Sequence, residues 1–487
     1  MLALLLLAPL ALAAPKKAPA PPPAPVVVEP PAPPPAPPDP LAERPAIGAE
    51  VPFSVKAPAT AKLSNGVSVW VASASSLPLV TLVLAVPGGA SLDAPGAEGV
   101  QWLTDRMLTQ GAAGKDAAAF AAALEQLGAS IDVSTGHTSS TVTLTTRKSE
   151  LPRALDLLAD AIVRPTFKKK SFARERDLAV SALAADADEP VAVATRLAWA
   201  RWFGTGHPYA NPTDGTVVGL RGVGVKQVKA RWHEVWGADG ATFTVAGDVT
   251  LVEVVPLLES RLGAAWKPGQ RVLPAVPAVA PRAVRSVVVV DKPGASQTMF
   301  SLVFPGAALG TPEVAPARVG TIALGGTFTS RLNALLREKR GYTYGVRASL
   351  VALPGTGILT IGTRIRTDAT GPAMADLLGE LDSIQKGITP AELVKARSAY
   401  RQDLVEAMES RAGTAGSFAG WHVAGLGPAS LDADLSATGA TEREAVTTAM
   451  QAYDPSKVLI VLVGDLAVIK PGLEAAGVSS FEVVEPL

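Results

Sequence analysis

The segment GVQWLTDRML, residues 99–108, carries polar side chains at a spacing that could serve chemistry. Its apolar periodicity predicts an amphipathic helix in which Trp102, Asp105 and Arg106 stand at i, i+3 and i+4 and share one face. A zinc-binding helix carries two histidines and an acidic residue at comparable spacing. Here an indole and a guanidinium stand beside the carboxylate. The segment is therefore a broken metal site, a disguised one or an ordinary helix.

The histidine and cysteine content limits any metal chemistry. The 487-residue chain has no cysteine, which excludes disulfides, thiol catalysis and thiolate zinc sites. Its 44 basic and 44 acidic residues give a formal net charge of zero, so we expect no nucleic acid partner. Any histidine-based site must draw on four residues, His137, His207, His233 and His422.

Two segments at the N-terminus differ from the rest of the chain. Residues 1–14, MLALLLLAPLALAA, predict a signal peptide with an A-x-A cleavage signal, although no basic residue precedes the run. The run is too short for a stable membrane anchor, so we expect no membrane-spanning segment in the mature chain. Residues 15–46 contain fifteen prolines and predict an extended Pro/Ala-rich linker. We therefore expect a periplasmic, secreted or cell-surface protein.

The rest of the chain repeats one pattern. LPLVTLVLAVPGGASLD (77–93) and SQTMFSLVFPGAALGTP (296–312) both read as strands that end at a Pro-Gly pair. ATFTVAGDVT (241–250) and VLIVLVGDLA (458–467) both end a strand at a Gly-Asp pair. The two pairs are 160 residues apart in one copy and 159 in the other. Matched order at matched spacing predicts a duplicated unit.

Strands and helices are segregated within each copy. ASIDVSTGHTSSTVTLTTR (129–147) alternates in the way of an antiparallel hairpin. KDAAAFAAALEQLGA (115–129) and ELPRALDLLADAIV (150–163) have helical periodicity, and Ser149 is a candidate N-cap for the second. This arrangement predicts an α+β fold rather than a doubly wound parallel sheet.

The domain organisation follows from the repeat. We predict two homologous domains, at 48–268 and 284–487, each an antiparallel sheet flanked by helices. A Pro-rich connector at 269–283 joins them.

Three segments resemble those of one peptidase family. LGGTFTSRLNALLREKRGYTYGV (324–346) resembles the C-terminal-domain signature of the insulinase/pitrilysin zinc peptidases. GHPYANPTDGT (206–216) and GATFTVAGDV (240–249) are similar to a loop and the strand after it in the family's N-terminal domain. The resemblance implies the family's duplicated α+β fold, a clamshell like that of mitochondrial processing peptidases.

The family's zinc motif, H-x-x-E-H, is missing from this chain. The resemblance places Trp102 and Arg106 at the two histidine positions. It places Asp105 at the general-base glutamate and Ala182 at the third ligand. Trp offers a metal no lone pair and Arg stays protonated, so we expect no zinc in this chain. We interpret the segment as a structural helix in which Asp105 pairs with Arg106 and Trp102 packs inward.

Another pair of residues that the resemblance singles out is intact. In active relatives an Arg and a Tyr seven residues apart reach toward the substrate, and Arg337 and Tyr344 have that spacing here. A Tyr hydroxyl can stabilise an oxyanion, and an Arg can hold a carbonyl or carboxylate through two N–H groups. The alternative is that Arg337 only pairs with Glu338 and that Tyr344 only packs under a strand.

The resemblance and these residues together predict the zinc-less subunit of a two-chain metallopeptidase. The partner would be a paralogous subunit that contains H-x-x-E-H and its zinc. The substrate would be an unfolded peptide, which could add as a strand to a sheet edge. Two alternatives stay open, a non-enzymatic binding or scaffold protein that kept the fold, and an independent peptidase with unrecognised chemistry.

Overall fold

The structure is a computed structural model that describes Gly48 and residues 51–485. The predicted signal peptide (1–14) and linker (15–46) lie outside the described residues. From Phe53 onward the chain forms one compact unit.

The described strands form two six-stranded sheets, one from each half of the chain. The first sheet has the order β1-β2-β6-β3-β5-β4 and contains β1 (Ala59–Lys62), β2 (Ser68–Ser73), β3 (Leu79–Pro87), β4 (Ser130–Thr135), β5 (Ser139–Arg147) and β6 (Thr242–Gly247). The second has the order β12-β7-β11-β8-β10-β9 and contains β7 (Ser286–Asp291), β8 (Gln297–Pro305), β9 (Val346–Leu353), β10 (Thr356–Arg366), β11 (Leu459–Gly464) and β12 (Glu482–Val484).

Both sheets share one topology, which agrees with the repeat found in the sequence. Strands β2, β6, β3, β5 and β4 correspond in order and direction to β7, β11, β8, β10 and β9. The α+β class is confirmed, and most neighbouring strands pair antiparallel as predicted, but both sheets are mixed. Strand β2 runs parallel to β6, and β7 runs parallel to both β11 and β12. Parallel neighbours need long crossover connections, which local alternation in the sequence does not reveal.

Helices occupy the connections between strands. In the first half they are α1 (Val100–Met107), α2 (Ala117–Leu127), α3 (Leu151–Val163), α4 (Lys169–Asp186), α5 (Pro190–Phe203), α6 (Val217–Gly222), α7 (Val225–Val235) and α8 (Leu251–Leu258). In the second half they are α9 (Val314–Thr321), α10 (Thr370–Ile384), α11 (Pro390–Glu409), α12 (Arg411–Val423), α13 (Ser430–Ala440), α14 (Arg443–Met450) and α15 (Leu466–Ala475). Over the described part of the chain, no helix combines the length and the apolar character that crossing a membrane requires.

The predicted cap of α3 is wrong. Residues Lys148–Glu150 form a 3-10 turn, and Glu150 is the N-cap of α3, without a side-chain hydrogen bond. Ser149 therefore lies inside a helical turn instead of before one. The predicted helix at 115–129 is confirmed as α2, where the Asp116 carboxylate accepts the Ala119 N–H at 2.9 Å.

Each sheet packs one face against helices of its own half. The first of these cores includes Leu82, Leu144 and Phe243, all fully buried. The equivalent core of the second sheet is built around Phe300 and Leu462. These alternating strand residues face inward because strand side chains point to opposite faces of a sheet.

The opposite face of each sheet receives a helix from the other half of the chain. Helix α5 packs on β8 and β11 of the second sheet, where Leu197 joins Val303 and Val461 in one buried cluster. Helix α12 packs on β3 and β6 of the first sheet. The Thr244 hydroxyl donates to the Ala415 carbonyl at 2.7 Å in that contact. This reciprocal exchange of helices holds the two halves together.

Candidate functional site

Helix α1, which lies in the segment 99–108, begins at a turn that requires glycine. Gly99 has a φ of 104°, and a Cβ there would lie 2.5 Å from the Leu220 side chain. The Asp93 carboxylate accepts the backbone N–H groups of Gly99 at 2.7 Å and Gln101 at 3.0 Å. These bonds satisfy donors that a helix start leaves free. Burial raises the pKa of Asp93 to about 6.

Asp105 is a buried carboxylate held by four side-chain donors. Its Oδ1 atom accepts Gln101 Nε2 at 2.7 Å and Trp236 Nε1 at 2.9 Å. Its Oδ2 atom accepts the hydroxyls of Thr135, at 2.6 Å, and Ser140. Burial raises the pKa of Asp105 to about 7, although each hydrogen bond favours the charged form. Asp105, which the resemblance placed at the general-base position, therefore joins the surrounding segments through four hydrogen bonds.

Arg106 pairs with a glutamate from another helix. Its Nη2 atom lies 3.1 Å from Glu175 Oε2 on α4, and its guanidinium lies 5.4 Å from the centre of the Trp102 ring. The expected pair between Asp105 and Arg106 is wrong, because Asp105 points into the protein while the Arg106 side chain is 46% exposed. Trp102 is half-buried and packs against the cluster beneath α1.

The residues around α1 do not fit a zinc ion. A catalytic zinc site needs three donors of the His, Cys or carboxylate type. Ala182 is exposed on α4 and has no donor atom in its side chain, and Glu175 on the same helix is paired with Arg106. Across residues 51–485 no three His, Cys, Asp or Glu side chains lie close enough together to hold a metal ion.

The four histidines are placed by aromatic packing instead. Each lies against a neighbouring ring, namely His137 with Trp199, His207 with Phe203, His233 with Trp232 and His422 with Trp70. Burial lowers the pKa of His137 to about 4, so that imidazole is neutral at pH 7.

Arg337 lies in a π-helical turn, Asn333–Lys339, that leads into β9. Its Nη1 atom donates to Glu338 Oε1 at 2.6 Å, and its guanidinium stacks 3.7 Å from the centre of the Phe328 ring. Asn333 fixes the turn to β9, because its side chain accepts the Val346 N–H at 2.9 Å and donates to the Val346 carbonyl at 2.8 Å. The pair with Glu338 matches the structural alternative for Arg337.

Tyr344 lies in the loop between that turn and β9, and 92% of its surface is exposed. The alternative in which Tyr344 packs under a strand is therefore wrong. The phenol forms one wall of a surface cavity of about 500 Å³. The cavity is lined by Val191, Gln297, Met299, Thr343, Tyr344, Gly345, Gly362, Thr363 and Arg364.

The sequence-predicted site residues fall into two groups. Trp102, Asp105 and Arg106 share α1 in the first half, whereas in the second half Arg337 lies in the π-helical turn and Tyr344 in the loop that follows it. Between these two groups, the described residues form no hydrogen bond, ion pair or ring contact. Sequence reasoning missed Glu175, although an acidic residue two helical turns before Ala182 was a usable signal.

Comparison with known proteins gives the family. Residues 69–213 match the family model for insulinase (peptidase family M16), and residues 223–400 match the model for the peptidase M16 inactive domain. An uncharacterized zinc protease of Rickettsia felis is 23% identical over 358 residues, which covers 72% of this chain and 83% of that protein.

Solved structures agree with the sequence matches. A peptidase M16 inactive domain from Pseudomonas fluorescens superposes with a TM-score of 0.75 at 27% identity, covering 84% of this chain and 98% of that one. A protease from Helicobacter pylori has the same fold, with a TM-score of 0.76 at 17% identity over 83% of this chain and 98% of that one. The chain thus belongs to the insulinase/pitrilysin family, peptidase family M16.

Proposed function

We propose that this protein is the exported, zinc-less subunit of a heteromeric family M16 peptidase. It would bind unfolded peptide and contribute Arg337 and Tyr344 to the active site of a paralogous partner subunit, which would carry H-x-x-E-H and the zinc. The observation that carries the proposal is a contrast within one chain. Helix α1 has no zinc donors beyond a fully engaged Asp105, whereas Tyr344 stands 92% exposed.

The exposure of Tyr344 supports a contact with another molecule. A phenol that packs in a fold buries its ring, and this one contributes almost nothing to the described core. Its hydroxyl has the chemistry to stabilise the oxyanion of a tetrahedral intermediate in a partner's site.

The surroundings of Arg337 support a preorganised donor. Stacking on Phe328 holds the guanidinium plane, and Glu338 is largely exposed, at 61% of its side chain. An exposed ion pair contributes little free energy, so a substrate carbonyl or carboxylate could replace Glu338 at small cost.

Strand β9 offers an edge for the peptide. It begins two residues after Tyr344, ends the second sheet, and pairs only with β10 among the described strands. A peptide that added along this edge would form main-chain hydrogen bonds, which tolerate varied side chains. The edge therefore suits an unfolded substrate.

Export is the remaining part of the proposal. It rests on the apolar run with its A-x-A signal at 1–14 and on the Pro/Ala-rich linker at 15–46. The expected location is the periplasm, the cell surface or the exterior.

A non-enzymatic scaffold is the second candidate function. The contacts of Arg337 with Glu338 and Phe328 favour it, because they account for this side chain without a substrate. In that function Arg337 and Tyr344 would be remnants of a catalytic ancestor.

Reconstitution tests the proposal. The full chain would be purified alone and together with a co-purifying H-x-x-E-H protein, and each sample would be assayed for zinc and for cleavage of an unfolded peptide. We expect zinc and cleavage only when the partner is present, and faster cleavage by the complex than by the partner alone. A partner that cleaves equally fast without this chain would favour the scaffold function.

A further inference from the structure

The cavity beside Tyr344 has a cationic wall that no described acidic group neutralises. Arg364 on β10 is exposed, and across residues 51–485 its guanidinium forms no ion pair or hydrogen bond. Two residues further along the same strand, Arg366 donates to both carboxylate oxygens of Asp368 at 3.2 Å. The two arginines share a face of the strand but differ in whether their charge is satisfied.

The strand register opens space next to Arg364. Arg364 lies opposite Met299 on β8, and Gly362 lies opposite Ser301. Gly362 has no side chain, which leaves space on the sheet surface beside Arg364. The Met299 side chain forms the apolar floor of this space. Val191, at the start of α5, adds a second apolar wall.

The polar groups around this space are mainly hydrogen-bond donors without described partners. Besides Arg364 they include the Tyr344 hydroxyl and the Gln297 amide, neither of which has a described side-chain hydrogen bond. The Thr343 and Thr363 hydroxyls lie 3.0 Å apart, and each lies within hydrogen-bonding distance of the Gly345 carbonyl, so both have partners inside the protein. The described lining contains no Asp or Glu.

We propose that this cavity binds an acidic side chain of the peptide substrate and that Arg364 is the specificity-determining residue. The inference rests on the proposed function, because it takes Tyr344 to face the substrate. Arg364 would hold the carboxylate through two parallel N–H···O bonds, with Gln297 as an additional donor. The methylene groups of a glutamate would lie against Met299 and Val191, which favours Glu over Asp.

Peptide binding by the full chain tests the inference. Fluorescent unfolded peptides, each with Glu or Gln at one scanned position, would be titrated with the protein while fluorescence anisotropy is recorded. We expect one position at which Glu binds about 10-fold more tightly than Gln, a typical size for a charge-assisted hydrogen bond. This preference should weaken as salt is raised, since the cavity is open to solvent.

Charge variants assign the preference to Arg364. Arg364→Gln should make the Glu and Gln peptides bind equally, and Arg364→Glu should favour Lys at the same position. Arg366→Gln is the matched control, since its charge is already satisfied by Asp368, and it should keep the preference of the unchanged protein. Circular dichroism would confirm that each variant is folded.

Two results separate this inference from the proposed function. Equal affinity for Glu and Gln peptides at every position, or a Glu preference that survives Arg364→Gln, would overturn the inference and leave the shared-site proposal standing. Absence of peptide binding by both the chain and its complex with an H-x-x-E-H partner would overturn both.

Discussion

Asp105 is a buried carboxylate whose hydrogen bonds join several segments of the first half of the chain. An acidic group at this point of an active zinc helix would need an accessible lone pair. Here both oxygens are saturated by donors from four other residues, and the side chain is 1% exposed. Asp105 joins α1 to β4, β5 and the end of α7, so its hydrogen bonds hold these segments together.

The ionisation of Asp105 gives a prediction about pH. Its pKa is about 7 in the folded protein, against 3.8 for an exposed aspartate, so the folded state binds more protons between these values. Its contribution to stability is therefore fully present at low pH and is lost as pH rises through 7. Relative to Asp105→Asn, the unchanged protein should lose about 1–3 kcal/mol of unfolding free energy between pH 5 and pH 8.

Urea unfolding of both proteins at the two pH values measures this difference. Taking the difference between the two proteins cancels other titrating groups, Asp93 among them. A stability difference that is the same at pH 5 and pH 8 would contradict the raised pKa of Asp105 in the folded protein.

The partners of Asp105 and Arg106 could not be predicted from the sequence, because they lie far away along the chain. The i, i+3, i+4 spacing identified the helix face, but Trp236 and Glu175 come from segments 131 and 69 residues away. Without them, pairing Asp105 with its neighbour Arg106 was the simplest interpretation, and it was wrong. The chemical argument against zinc needed only the residue types at Trp102, Arg106 and Ala182.

At the scale of elements, local patterns were enough for local structure. The hairpin of β4 and β5 follows from alternation, and helix α2 from helical periodicity, each within twenty residues. The parallel pair β2 and β6 could not be found in this way, since their paired residues are more than 170 positions apart. The crossing of α5 and α12 onto the opposite halves depends on equally distant contacts.

The contact of α12 with the first sheet gives a prediction about packing. Ala415 is 1% exposed and lies against Val83, Ala85 and Ala246. Ala415→Leu should therefore overpack the contact between α12 and the first sheet and lower the free energy of unfolding by about 1–3 kcal/mol. The neighbouring Gly416 faces open space, and Gly416→Ala should stabilise the helix by about 0.5–1 kcal/mol. Thermal and denaturant unfolding would measure both. Equal effects of the two substitutions would contradict the described packing of α12.

At the scale of the whole molecule, the duplication was the feature that the sequence predicted most directly. Pro-Gly and Gly-Asp pairs at matched spacing indicated two copies, and the sheets have matching strand orders. The bounds at 48–268, 269–283 and 284–487 stay predictions. In the proposed function the two copies differ, because Trp102 and Arg106 on α1 offer a metal no donor whereas the second copy presents an exposed Tyr344 beside Arg337. That difference is the reason to look for a second chain.

The most direct test of a shared active site is the turnover number of the reconstituted complex with Tyr344→Phe in this chain. Tyr342→Phe is the matched control, two residues away and packed against the core. We predict that Tyr344→Phe lowers kcat about 100-fold, as expected for loss of one oxyanion donor, and that Tyr342→Phe leaves kcat within about 2-fold. Equal kcat values for the two variants would contradict the claim that this chain contributes to its partner's chemistry.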